Sequence, residues 1–286
     1  MIKTIFNKKA LLSAVLVVIG FTFSVVLYTV AAPKDTYLSF DGKNDFLVRP
    51  DSSSLRISGS FSIETWVNLK TLPPTGKYVA LIYKGANSEV AGQNTNYALV
   101  LDNSLISPGN TGLSLHFETP TGADYMVYTS QVFELNRWYH LVGVFDDAMD
   151  TMTLYIDGVQ KVQRKGIVGI PDTGPTYVIL GLGLESLSFL GFLNGAMDEV
   201  RIWNRAKTAS EISTQMNQEL GGSEPGLAAY WKFNEGGGNY AKDSTSNLNF
   251  LNLGSTTNTD ANDPSWVGGI GDTMPPTVSI SSHSAG

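Results

Sequence analysis

The sequence predicts an all-β protein, a sandwich of two antiparallel sheets with one short helix. Short runs rich in β-branched and aromatic residues recur along the chain. Between them lie many of its 29 glycines and 12 prolines, the pattern of many strands joined by turns. The stretch Phe61-Ser-Ile-Glu-Thr-Trp-Val67 alternates in polarity, so one of its faces is buried. No run supports an amphipathic helix longer than about three turns, and antiparallel strands with a single small helix make a two-sheet sandwich.

Residues 1–33 come first and belong to targeting. Lys3, Lys8 and Lys9 form a basic start, and the run from Ala10 to Pro33 carries no charge. Small residues at 29–32 suit a signal peptidase. The uncharged run is also long enough to span a bilayer, so a cleaved signal and an uncleaved membrane-anchoring helix both fit. In either case the lysines stay inside and the rest of the chain lies outside the cytoplasm. Without residues 1–33 the chain has 16 basic and 26 acidic residues, a net charge of −10. That argues against nucleic acid and anionic lipid as partners and suits a neutral glycan, a divalent cation or a plain soluble surface. Cysteine is absent, which removes disulfides and thiolate chemistry.

Strands are expected near 37–40, 45–49, 61–69, 78–84, 96–102, 112–118, 125–130, 138–145, 151–157, 159–165, 176–181, 190–194, 197–203 and 227–233. Asp157-Gly158, between two apolar runs, is the strongest hairpin signal in the chain. The one convincing helix covers 208–218. Thr208-Ala-Ser-Glu211 has capping-box spacing, in which hydroxyl and carboxylate satisfy free amides of the first turn. Polar loops rich in Gly and Asn at 85–96 and 103–111 are expected at the rim of the sandwich. A linker and the truncated start of a following module are expected over 268–286, leaving 34–267 as the domain.

Catalytic signatures are missing. The three histidines are His116, His140 and His283. His140 sits in an apolar run, where a hydrogen-bonded core or interface role fits better than that of a base. No nucleophile elbow or His-x-x-x-His occurs. A retaining glycosidase needs two carboxyls about 5 Å apart, hence acids at i and i+2 of one strand. The pairs Asp146-Asp147 and Asp198-Glu199 are adjacent instead. The chain is therefore not expected to be an enzyme.

Other residues offer binding chemistry. The turn Phe40-Asp-Gly-Lys-Asn-Asp45 presents Asp41, Asn44, Asp45 and the Gly42 carbonyl, the hard oxygens that calcium takes; an Asx turn capped by Asp41 fits equally. Tyr83, Tyr97, Tyr125, Tyr128, Tyr139 and Trp138 are candidate sugar platforms by type, although at least half of such rings belong in a sandwich core. Glu64 and Arg201 are charges within apolar strands, and a buried carboxylate needs a partner.

Several blocks carry a resemblance. Asn194-Gly-Ala-Met-Asp-Glu-Val-Arg-Ile-Trp-Asn-Arg-Ala206, followed by Ser210-Glu-Ile212, resembles the end of laminin-G-like, concanavalin A-like jelly-roll domains of secreted and cell-surface proteins. Tyr37–Phe46, Gly59–Val67, Arg137–Phe145, Leu154–Gly158 and Gly226–Gly236 match in the family's order. The resemblance spans roughly Tyr37 to Trp266. It implies a jelly roll and an exported, non-catalytic module that recognises extracellular glycan or protein. Two rival roles stay open, a structural or adhesive spacer in a large surface protein and a glycoside hydrolase or lyase. It also implies a structural calcium (Ca2+) held by Asp41, Gly42 and Asp198, and an ion pair between Glu64 and Arg201.

Overall fold

The computed structural model describes residues 36–85, 95–103, 111–131, 133–182, 191–255 and 258–268. The expected N-terminal targeting segment, the tail beyond 268, His283 and most of the two expected rim loops lie outside these residues. Among the described residues no helix is long and apolar enough to cross a membrane.

The strands are β1 (Tyr37–Asp41), β2 (Leu47–Arg49), β3 (Phe61–Leu69), β4 (Tyr78–Gly85), β5 (Tyr97–Asp102), β6 (Gly112–Glu118), β7 (Asp124–Ser130), β8 (Trp138–Asp146) and β9 (Thr151–Ile156). They continue as β10 (Val159–Lys165), β11 (Tyr177–Leu180), β12 (Asn194–Trp203), β13 (Leu227–Trp231), β14 (Tyr240–Ala241), β15 (Leu251–Leu253) and β16 (Ser265–Val267), with the helix α1 (Ala209–Gln215) between β12 and β13. The first sheet runs β10-β9-β8-β3-β12-β1-β16, with β13 also paired to β12. The second runs β14-β15-β2-β11-β4-β5-β6-β7. Every strand pairing is antiparallel, and the two sheets form the expected sandwich.

Alternation explains the core. Ile63 and Val67 of β3, Leu141 and Phe145 of β8, Leu113 and Leu115 of β6, and Leu99 and Leu101 of β5 all enter one apolar cluster between the sheets. The sheets approach closely at Gly143, where a Cβ would lie 2.6 Å from the Leu115 side chain. A side chain there would force the sheets apart or displace Leu115.

Local signals act as read. Asp157 and Gly158 take φ values of 53° and 74°, as the two-residue turn between β9 and β10 demands. Thr208 and Glu211 form the full capping box of α1. Three expectations need correction. The helix ends at Gln215, not 218. The strands expected at 190–194 and 197–203 give way to one strand, β12, whose first half pairs with β1 and second half with β13. Finally, β14, β15 and β16 were not expected; they are only two or three residues long, too short to show periodicity.

Candidate functional site

The outer face of the first sheet is covered over its central strands. Trp66 donates its indole N–H to the Met216 carbonyl at 2.9 Å, and Arg201 donates to the carbonyls of Gln215 and Gln218. These bonds pin α1 and the segment after it to β3 and β12, while Ile212 packs on Val142 and Val144 of β8 and Leu220 on Leu227 and Tyr230 of β13. Beneath lies a buried cluster of charges. Glu64 Oε1 accepts from Trp203 Nε1 and Lys207 Nζ, each at 2.8 Å. Its other oxygen lies 3.2 Å from His140 Nε2. Arg201 and Glu64 are opposite in register, with 3.7 Å between charged atoms, so the structure brings these two predicted residues together. Arg201 pairs more tightly with Glu199, which also accepts from the Tyr230 hydroxyl. Burial alone would raise the Glu64 carboxyl, but Lys207, His140 and Arg201 hold it well below the usual range. Glu64, His140, Arg201 and Lys207 are all at most 3% exposed. Their arrangement is a closed network of charges that compensate one another away from solvent. The sequence reading missed Lys207 and Glu199, because neither spacing nor composition shows which charges a helix will cover.

The predicted metal residues are not brought together. Asp41 faces Asn194 in the β1–β12 ladder, whereas Asp198 faces Trp66 across the β12–β3 ladder. Four residues of strand separate their positions on β12, about 13 Å, while calcium–oxygen distances are about 2.3–2.6 Å. Gly42 packs against the Asn194 side chain. The set Asp41, Gly42 and Asp198 therefore does not fit one calcium, and that ligand set is corrected. Asp41 does act as a turn cap: its Oδ1 accepts from the Lys43 amide at 2.8 Å. Asp45, beside it, accepts from the Asp41 amide at 2.6 Å. Burial, together with the charges of Asp41 and Asp263, pushes the Asp45 carboxyl up to about 6 despite that bond. Among the described residues, no group of three or more His, Asp or Glu side chains is arranged to hold a metal.

The ring candidates divide. Tyr97 is fully buried in the core and donates to the Leu55 carbonyl; it is corrected from ligand candidate to core residue. Tyr139 is likewise core and accepts from the Glu134 amide. Tyr83 is buried with Ala80, Ala98 and Val100 in a small cluster on the outer side of the second sheet. Tyr125 is half-buried against Phe117 and donates to the Val168 carbonyl. Trp138 is half-buried and meets Tyr37 edge-on. Tyr128 alone of the four predicted ligand tyrosines is open, at 53% exposure. It lies opposite Ser114, and because Leu113 and Leu115 point into the core, Tyr128 points outward.

The second sheet's outer face carries further open rings. Val178 and Leu180 enter the core, so Tyr177 projects outward, 57% exposed. By the same alternation Ala241 and Leu251 point in, while Tyr240 and Phe250 point out, stacked with centroids 5.9 Å apart. Alternation in Tyr-Val-Ile-Leu could have assigned Tyr177, had its partner strand been known. His116 and Asp124 meet at 2.6 Å across β6 and β7. A separate shallow cleft, about 340 Å³ including its mouth, opens at one rim between residues 69–74 and 192–194. Its lining is mostly aliphatic and proline, with no ionisable side chain.

The family model of the concanavalin A-like lectin/glucanases superfamily matches residues 41–213. No curated protein matches the chain significantly in sequence. Among solved structures, a candidate carbohydrate-binding protein from Bacteroides ovatus superposes with a TM-score of 0.56 at 20% identity, covering 82% of this chain and 62% of that one. The chain thus spans less than two thirds of that protein's length. A heptameric SAP-like pentraxin from Limulus polyphemus gives a TM-score of 0.46 at 15% identity, over 63% of this chain and 81% of the other. The CBM40 of a Ruminococcus gnavus IT-sialidase, bound to α2,3-sialyllactose, gives 0.46 at 10% identity, over 61% and 95%.

Proposed function

We propose that this chain, which belongs to the concanavalin A-like lectin/glucanases superfamily, is an exported, non-catalytic carbohydrate-binding module. One observation carries the reading, the asymmetry of the two outer faces. The first sheet's outer face is covered over its central strands by α1 and the segment after it, whereas the second sheet's face presents the rings of Tyr128 and Tyr177 more than half exposed. An exposed tyrosine ring gives the apolar C–H face of a sugar a flat partner, and its hydroxyl can hydrogen-bond to the rim of the ring. The kinship with the Bacteroides ovatus protein supports the same reading. Export rests on the lysine-led uncharged N-terminus, and absence of catalysis on the burial of the ionisable cluster around Glu64.

The test is a glycan array probed with the chain from residue 34 onward, followed by Tyr128→Ala and Tyr177→Ala. At least one glycan class should bind, and a variant should weaken it about tenfold, the equivalent of 1.4 kcal/mol. Silence across the array, or binding untouched by both variants, would end this reading.

A further inference from the structure

The second sheet is widened by strands that lie beyond the family match, which stops at residue 213. β14 and β15 extend it past β2; Tyr240 lies on β14 and Phe250 immediately before β15, 46% and 43% exposed. The register joins them to the rest of the face. Tyr240 pairs with Asn252, Asn252 with Val48, and Val48 with Ile179, which shares the outward side of β11 with Tyr177.

We propose that Tyr240, Phe250, Asn252 and Tyr177 form a subsite for an internal stretch of a neutral polysaccharide chain. The inference rests on the carbohydrate-binding reading above and names its ligand class. Three features argue for it. First, the strip offers three open rings and a side-chain amide, all uncharged. The exported chain's net charge of −10 disfavours an anionic glycan. Second, β15 and β11 are separated by one strand, so Phe250 and Tyr177 stand about 10 Å apart in the sheet direction. That exceeds the width of one sugar ring, and a ligand touching both must be an oligomer. Third, the rings are open to solvent, with Tyr177, Tyr240 and Phe250 57%, 46% and 43% exposed. A terminal sugar is recognised by enclosure, whereas an open track admits a chain that continues at both ends.

The experiment is calorimetric titration with linear neutral glucan, mannan and xylan oligosaccharides, from disaccharide to hexasaccharide. Affinity should rise about tenfold or more with length, and Tyr240→Ala with Phe250→Ala should flatten that rise. Both side chains are exposed, and melting curves verify that the double variant folds. If it does not fold, Tyr240→Leu with Phe250→Leu keeps the apolar volume and removes the rings. A rise that persists in the folded variant overturns this subsite while leaving the module's function intact. Binding confined to anionic glycans overturns the neutral-chain assignment. No binding of any glycan, here and on the array, overturns the functional reading and the subsite with it.

Discussion

Lys207 Nζ lies 2.8 Å from Glu64 Oε1, with both side chains wholly buried. Such a pair matters chiefly through what its loss strands: removing one partner leaves an uncompensated charge, at a cost of about 3–5 kcal/mol. The two single variants are not equivalent. Lys207→Met leaves Glu64 beside Arg201 at 3.7 Å, so its carboxylate keeps a counter-charge. Glu64→Gln leaves the Lys207 ammonium with no carboxylate within ion-pair reach among the described residues, as its only ion pair there is with Glu64. Urea unfolding should show Glu64→Gln as the more damaging, near 4 kcal/mol, and Lys207→Met as milder. Equal losses, or the reverse order, would mean that Arg201 does not share in holding Glu64.

His140 should make stability fall in mild acid. Burial lowers its pKa from 6.5, and the charges of Arg201 and Lys207 add to that, against the pull of Glu64. Its Nδ1 is buried without a hydrogen-bond partner, so a proton there finds no acceptor. The unfolded chain therefore takes up the proton first. The contribution of neutral His140 is present above pH 6.5 and is lost as the pH falls below that value towards the depressed folded pKa. Urea midpoints measured from pH 8 to pH 5.5 should move downward in the native chain relative to His140→Gln, because the opposing contribution of Asp45 is common to both. Parallel profiles would show that other groups carry the acid sensitivity.

Much of this fold is legible in the sequence because its signals are local. The Asp157-Gly158 turn and the Thr208–Glu211 cap need no knowledge of their surroundings. Gly195 shows where local reading fails. A glycine within an apolar run suggests a break between strands, yet β12 continues through it. A Cβ there would come within 2.2 Å of the Asn68 carbonyl oxygen, so the glycine serves close approach of β3 rather than a turn. The binding face was harder to read for a similar reason. Strand alternation says that Tyr97 and Ala98 of β5 point to opposite sides, but not which side is the core. The register shift between Ala80 and Ile82 in β4 changes that parity again before Tyr83. Asp41 and Asp198 failed as a pair because the resemblance implies that an opening and a late strand meet, but not how far one is slid along the other.

Trp203 should tolerate truncation poorly. It is fully buried, its indole N–H binds Glu64, and the Lys207 ammonium sits 4.6 Å from its ring centroid. Trp203→Ala should cost about 3–5 kcal/mol in denaturant unfolding. A loss below about 1 kcal/mol, the range of surface substitutions, would contradict the closed outer face.

Calcium response should be independent of Asp198. That residue sits opposite Trp66, remote from the Asp41 turn. Scanning calorimetry with calcium and with chelator should therefore shift the native chain and Asp198→Asn by the same amount. A rise in melting temperature that disappears in Asp198→Asn would place the cation on β12 after all.

Asp45 gives a pH dependence of the opposite sign to that of His140. Its carboxyl titrates near 6 when folded against 3.8 as a free side chain, because burial and the charges of Asp41 and Asp263 oppose ionisation. The proton thus favours the folded chain. This contribution is complete below about pH 3.8 and is lost as the pH rises through about 6. In Asp45→Asn the amide oxygen can still accept from the Asp41 N–H, and no charge is buried beside the other two carboxylates. The variant should melt higher than the native chain at pH 8, with the gain shrinking towards pH 4. If the gain is the same at both pH values, ionisation of Asp45 is not its source. If Asp45→Asn instead melts lower at pH 8, the carboxylate is holding something an amide cannot, and a cation in the Asp41–Asp45 turn becomes the better account.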